Sequence, residues 1–178
     1  MESNVIEMAN LLIVEEYEWN PDSLLMKSHY IDGKLFSHVY EKEREMIVLQ
    51  KPKDVIDYSC QYYGMSLEGN QKGASIVTNY KKKLPVIICK ELNLVVFPTA
   101  SPSRDNCYWI DYSSIKDFNK STSNETSILF NNQVEMVIPM SFASFNTQYG
   151  RAAVLQSRLK SRVAETKRKY GLIDEDEQ

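Results

Sequence analysis

The chain has 178 residues, 43% of them hydrophobic and 25% charged, with a formal net charge of −3. Those values fit one folded domain, or one domain with an appended helix, and exclude a disordered or fibrous chain. The longest apolar runs, such as those at 86–89 and 94–97, are far shorter than the roughly 20 residues that span a bilayer.

The N-terminus has the wrong charge for an export signal: Glu2, Glu7, Glu15, Glu16 and Glu18 precede any Lys or Arg. Cys60, Cys89 and Cys107 are odd in number and widely spaced, and neither His29 nor His38 stands at metal-site spacing from a cysteine. Reduced thiols in a cytoplasmic protein with no metal and no cofactor are therefore expected. The small net charge conceals segregation: residues 1–18 carry −5, residues 151–170 carry +6 and residues 174–177 carry −4, while the stretch between 19 and 150 balances. The expected organisation is an acidic N-terminal segment over 1–20, a single domain over 21–171 and an acidic tail over 172–178.

Taken in order, most of the domain reads as short strands. Residues 23–30 end at Asp32-Gly33, a hairpin signal, and 35–41 resume with alternating apolar positions. A strand over 46–49 leads to Pro52, which opens a helix over 53–62 with Val55, Ile56, Ser59, Cys60 and Tyr63 on one side. Three glycines make 64–73 a loop. Residues 75–80 and 86–89 are expected as paired strands joined across Lys81-Lys82-Lys83-Leu84-Pro85, followed by strands over 92–97 and 108–112 and a hairpin over 128–138.

After Ser141 the period changes. From an N-cap at Ser144, residues Phe145, Tyr149, Ala152, Leu155, Leu159, Val163 and Tyr170 fall within about 120° of arc. Arg151, Arg158, Arg162 and Lys169 cluster within about 40° beside that stripe. A helix over 144–170 follows, stopped by Gly171 and vulnerable to a bend at Gly150, which costs roughly 1 kcal/mol. The fold class is α+β: a largely antiparallel β-sheet with one short helix and a long basic amphipathic C-terminal helix.

Two patterns imitate enzymes and fail. Gly64 and Gly69 have phosphate-loop spacing, but Asn70 and Gln71 stand where Lys and Ser or Thr must reach phosphate and magnesium. In Gly64-Met65-Ser66, Glu68 replaces the second glycine of a nucleophile elbow. The histidines have no spacing that would make a base for Cys60 or Cys107. The expectation is a protein that is not an enzyme.

Three features suit nucleic acid. The helix cations Arg151, Arg158 and Arg162 can follow a phosphate backbone, though a solvated basic face looks the same in sequence. Lys81, Lys82 and Lys83 form a cationic hairpin tip, or serve only for solubility. Arg104, on a loop after Pro102, can enter a narrow minor groove, or pair with Asp105 or Asp111. The rival reading is a protein-interaction module that never touches DNA and docks a partner through the C-terminal helix. In such a β-rich domain, Tyr62-Tyr63 and Tyr108-Trp109 are expected in the core and not on bases.

Three segments in this order resemble the ComK family of bacterial competence transcription factors. They are Ile31-Asp32-Gly33-Lys34 through Val55-Ile56-Asp57-x-Ser59-Cys60-x-x-x-Gly64 to Lys72-Gly73; Phe97-Pro98-Thr99-x-Ser101-x-x-Arg104-x-x-Cys107-x-Trp109-Ile110; and Ile138-Pro139-x-Ser141-Phe142-x-Ser144-Phe145 continuing to Gln148-x-x-Arg151-x-Ala153-x-Leu155. The resemblance implies an activator of DNA-uptake genes that binds paired A/T-rich boxes in double-stranded DNA, largely through the minor groove, as a dimer or tetramer. It implies RNA polymerase as an indirect partner and a cytoplasmic, nucleoid-associated location. The matched positions Lys72, Arg104 and Arg151 gain support as DNA-binding residues, while Lys81, Lys82, Lys83 and Arg158 rest on charge pattern alone. Longer members continue into an extension linked to a proteolytic adaptor. The resemblance thus adds a proteolytic adaptor as a partner, set against the acidic tail that follows Gly171 here.

Overall fold

The computed structural model describes residues 11–172; the first ten residues and the acidic residues from 173 onward lie outside them. Ten strands and three helices follow in the order β1 (Leu12–Val14), β2 (Ser23–Ile31), β3 (Lys34–Glu41), β4 (Glu45–Val48), α1 (Pro52–Tyr62), α2 (Leu67–Thr78), β5 (Val86–Cys89), β6 (Leu94–Pro98), β7 (Trp109–Asp111), β8 (Ile115–Lys120), β9 (Thr126–Phe130), β10 (Glu135–Ile138) and α3 (Phe142–Lys169). The fold is α+β, as the periodicity predicts. Seven strands form one sheet in the order β1-β4-β3-β2-β7-β6-β5, and β10-β9-β8 form a second. Every pairing is antiparallel except β1 with β4.

The β2–β3 hairpin turns at Asp32 (φ 49°) and Gly33 (φ 74°). Two consecutive left-handed residues match the right-handed twist of the flanking strands, which is why this dipeptide is so strong a signal. Proline at the start of α1 removes an N–H that the first turn leaves without a partner anyway.

One expectation is overturned. Residues 64–73 are not a loop and 75–80 are not a strand; most of both belong to α2. Ser66 caps the helix by accepting a hydrogen bond from Gly69 N at 3.0 Å, and Glu68 pairs with Lys72 one turn later at 2.6 Å. Asn79 closes it in the left-handed conformation, φ 63°. Two interior glycines cost the helix about 1 kcal/mol each, and packing of Ala74 and Val77 against Leu155 offsets that. The described residues therefore include two short helices where one was expected. Lys81, Lys82 and Lys83 lie on a helix-to-strand link, and the partner of β5 is β6.

The C-terminal helix starts two residues before the expected site, because Ser141 is the N-cap and accepts from Ser144 N. It runs unbroken through Gly150 for 28 residues, about 42 Å. Gly171 adopts φ 67° just beyond it, and Leu172 N reaches back to Lys167 O at 2.8 Å, a Schellman-type stop.

Alternate residues of the large sheet enter two different cores. Met26, Leu94, Val96 and Trp109 face Trp19 and α1. Leu25, Val95, Phe97 and Ile110 face the small sheet and the first half of α3, meeting Ile128, Phe130, Phe145 and Ala152. A sheet covered on both faces explains why β6 reads as a continuous apolar run. Residues 12–19 also join the body. Trp19 Nε1 donates to Asp111 Oδ1 at 3.4 Å, and Ser114 donates to Oδ2 through N and Oγ at 2.8 and 2.7 Å. Burial pushes the Asp111 carboxyl up to about 6 despite those donors.

Candidate nucleic-acid interface

The link after α2 and the loop after β6 face each other. Lys81, Lys82 and Lys83 line one side of a trough of about 810 Å³; Ser101, Ser103 and Arg104 line the other. Two features chosen separately from the sequence thus share one concavity. A neighbouring cleft, which shares Ser103 and Arg104, continues to Lys51 and Lys53 at the start of α1, and beyond it lies Lys34. These three lysines were not singled out by the sequence reading. The Lys-Pro-Lys at 51–53 opening a helix was the signal that could have found two of them.

Both loops are held from behind. Gln148 is buried on α3, and its Nε2 donates to Lys83 O at 3.0 Å and Pro98 O at 2.8 Å. Arg151 Nη1 donates to Lys82 O at 3.0 Å, and its guanidinium stacks over Tyr80 at 4.9 Å. Lys83 sits at φ 51°, a conformation that costs a non-glycine residue on the order of 1 kcal/mol. Gripping the link by its carbonyls leaves the three lysine side chains exposed. Neither Gln148 nor Tyr80 was assigned this role from sequence, because only the packed helix shows what they reach.

The Arg104 loop is closed at its base. Thr99 N donates to Tyr108 O and Tyr108 N to Thr99 Oγ1, both at 2.9 Å, while Cys107 is buried beneath. The two expected ion-pair partners of Arg104 are otherwise engaged. Asp105 accepts from Tyr30 Oη, and Asp111 is held by Trp19 and Ser114. Among the described residues no carboxylate forms an ion pair with the Arg104 guanidinium.

Two of the helix cations also bond to backbone. Arg151 grips the lysine link, and Arg158 Nη1 donates to Val77 O at 3.0 Å, closing the C-terminal end of α2. Their 40° cluster beside the apolar stripe turns toward α2. Arg162, one turn on, is exposed, and Lys72 is exposed in its pair with Glu68.

Burial pushes the Cys60 thiol up to about 12 and raises that of Cys107, so both hold their protons. His38 bonds Glu45 at 3.0 Å and stacks on Tyr40, away from either thiol. Among the described residues no three His, Cys, Asp or Glu side chains gather as a metal site, and no helix is long and apolar enough to cross a membrane.

Together, these features define the molecule as an α+β protein with a cationic trough held from behind by α3. The chain belongs to the ComK family: the family model described as ComK protein matches residues 14–164. It is similar to a protein of Bacillus subtilis (strain 168) named Competence transcription factor, 32% identical over 150 residues, covering 84% of this chain and 78% of that protein. No solved structure matches it.

Proposed function

We propose that this protein is a competence transcription factor that binds double-stranded DNA through the trough between Lys81–Lys83 and Arg104. The observation that carries the reading is the convergence of those two loops on one concavity, both fixed from α3. Lysines on a rigid rim neutralise phosphates and release counterions, which supplies affinity without sequence preference. An arginine free of ion pairs, carried on a closed loop, suits a narrow A/T-rich minor groove, where the negative potential is strongest.

Kinship with the B. subtilis competence factor supports the transcription-factor role; paired A/T-rich boxes as targets, activation of DNA-uptake genes and action in the cytoplasm at the nucleoid complete the proposal. Paired boxes call for a dimer or tetramer, since operator symmetry mirrors protein symmetry. RNA polymerase is then reached indirectly, from the bound promoter.

The test is titration of a duplex bearing two A/T-rich boxes, with a G·C-rich duplex of equal length as control, across a salt series. Tighter binding to the A/T duplex, weakening as a power of salt concentration, is expected. Equal affinity for both duplexes would overturn the minor-groove reading. Absence of binding by folded protein would overturn the function.

A further inference from the structure

A second concavity lies on the far side of α2 from the trough. It holds about 490 Å³ and is lined chiefly by apolar or small groups, among them Gly73, Val77, Ile87, Cys89, Leu159 and Val163. Its floor belongs to β5, the last strand of the large sheet, which has a strand neighbour on one side only. One wall is α2, and the other is the middle of α3. Nothing within the described residues fills it.

The helix that forms that wall does not end with it. From Lys160 to Tyr170 every residue except Lys167 is exposed, so roughly 15 Å of α3 projects past the body. The apolar stripe nevertheless continues along the projection and beyond: Val163 is 38% exposed, Tyr170 67% and Leu172 61%. A projecting apolar ridge and an apolar groove therefore lie side by side on one patch. This is the arrangement a two-fold interface requires, because each copy must offer both halves of the fit.

Charge points the same way. The projection carries Lys160, Arg162, Lys167, Arg168 and Lys169 against Glu165 alone. The groove lining has Glu91 beside Lys90, and Glu18 lies close enough to Tyr63 at the same wall to help burial raise its hydroxyl pKa. A cationic ridge from another copy thus meets carboxylates. Gly73 adds an independent sign. It costs α2 about 1 kcal/mol relative to alanine, and a Cβ there would meet nothing within 4 Å, so no contact inside the chain requires its absence.

We infer that the groove receives the projecting end of α3 from a second copy of this chain, reciprocally, as the dimer contact. The inference builds on the DNA-binding reading, in which paired boxes call for paired proteins, but its geometry is independent of the trough. Both troughs stay open in such a dimer, because α2 separates each from the groove on its far side.

The test measures mass without DNA, by sedimentation across a range of protein concentrations, for the full chain and two variants. Val163→Asp puts a charge on the ridge, and Gly73→Leu fills the groove from a position that has room in the monomer. The full chain is expected to sediment as a dimer. Each variant, with unchanged circular dichroism, should raise the dimer dissociation constant at least about tenfold, as loss of a central interface contact does. A full chain that stays monomeric at all concentrations, or a dimer indifferent to both variants, overturns the inference. Titration of the full chain with A/T-rich DNA separates the two readings: a dimer that ignores the DNA defeats the function, and a monomer that binds it defeats this interface.

Discussion

Two sets of cations, similar in sequence, are placed differently by the fold. Arg151 and Arg158 lie on a helix face that looks solvated in projection, yet Arg158 donates to Val77 O at the end of α2 and Arg151 to Lys82 O in the link that follows. Lys81, Lys82, Lys83 and Arg104 lie on loops, where sequence reading assigns little, yet their charges stay open around one trough. A charged residue's role depends on whether the fold supplies an acceptor within reach. An arginine beside an apolar stripe is carried toward its neighbour by the packing of that stripe and finds the carbonyls a helix end leaves free.

The strongest way to break this contrast is to remove the link lysines. Replacing Lys81, Lys82 and Lys83 together by alanine should weaken DNA binding by about two orders of magnitude near 0.1 M salt. It should also flatten the slope of log affinity against log salt by roughly three, read by fluorescence anisotropy. Folding stability should hold within about 0.5 kcal/mol, as for other exposed substitutions.

Arg158→Ala should do the reverse. Loss of a charge-assisted hydrogen bond to Val77 O is expected to cost about 1.5–3 kcal/mol in urea unfolding, with the slope of the salt dependence unchanged. A variant that lost affinity in proportion to salt slope and kept its stability would move Arg158 into the binding set.

Asp111 sharpens the comparison from the core. Its folded pKa of about 6 lies above the ordinary carboxylate value near 3.9, so the folded state binds the proton more readily than the unfolded one. The charged form is a penalty above pH 6 that fades as pH falls through 6 toward 4. Between pH 7 and pH 5, wild type should gain on the order of 1 kcal/mol relative to Asp111→Asn. Guanidinium midpoints of the two proteins at each pH would measure it, and a constant difference would contradict the raised value. The smallest effect is expected at Lys72, paired one turn away with Glu68 on an exposed face. Lys72→Ala should change unfolding free energy by under about 0.5 kcal/mol.

How far the sequence was legible follows from which forces are local. The Asp32-Gly33 turn, proline at the start of α1, Gly171 at the end of α3 and the alternation in β3 act over two to four residues, and each lies where it was expected. α2 was missed because its glycines and thin apolar face give a weak local signal; what holds it is Leu155, some eighty residues away. β1 and β8 were missed too, being a three-residue edge strand and a largely polar one.

The site divides along the same line. Arg104 and the three lysines could be chosen from sequence because charge and loop chemistry are properties of the residues themselves. That they face each other, that Gln148 and Arg151 hold the link from behind, and that Arg158 belongs to the fold are decided by contacts across fifty to eighty positions. The sequence by itself determined the fold class, the amphipathic helix and the cations available for binding, through short-range periodicity and turn geometry. Tertiary structure alone decided which cations remain open, because that depends on where distant carbonyls and carboxylates come to rest once both faces of the sheet are buried.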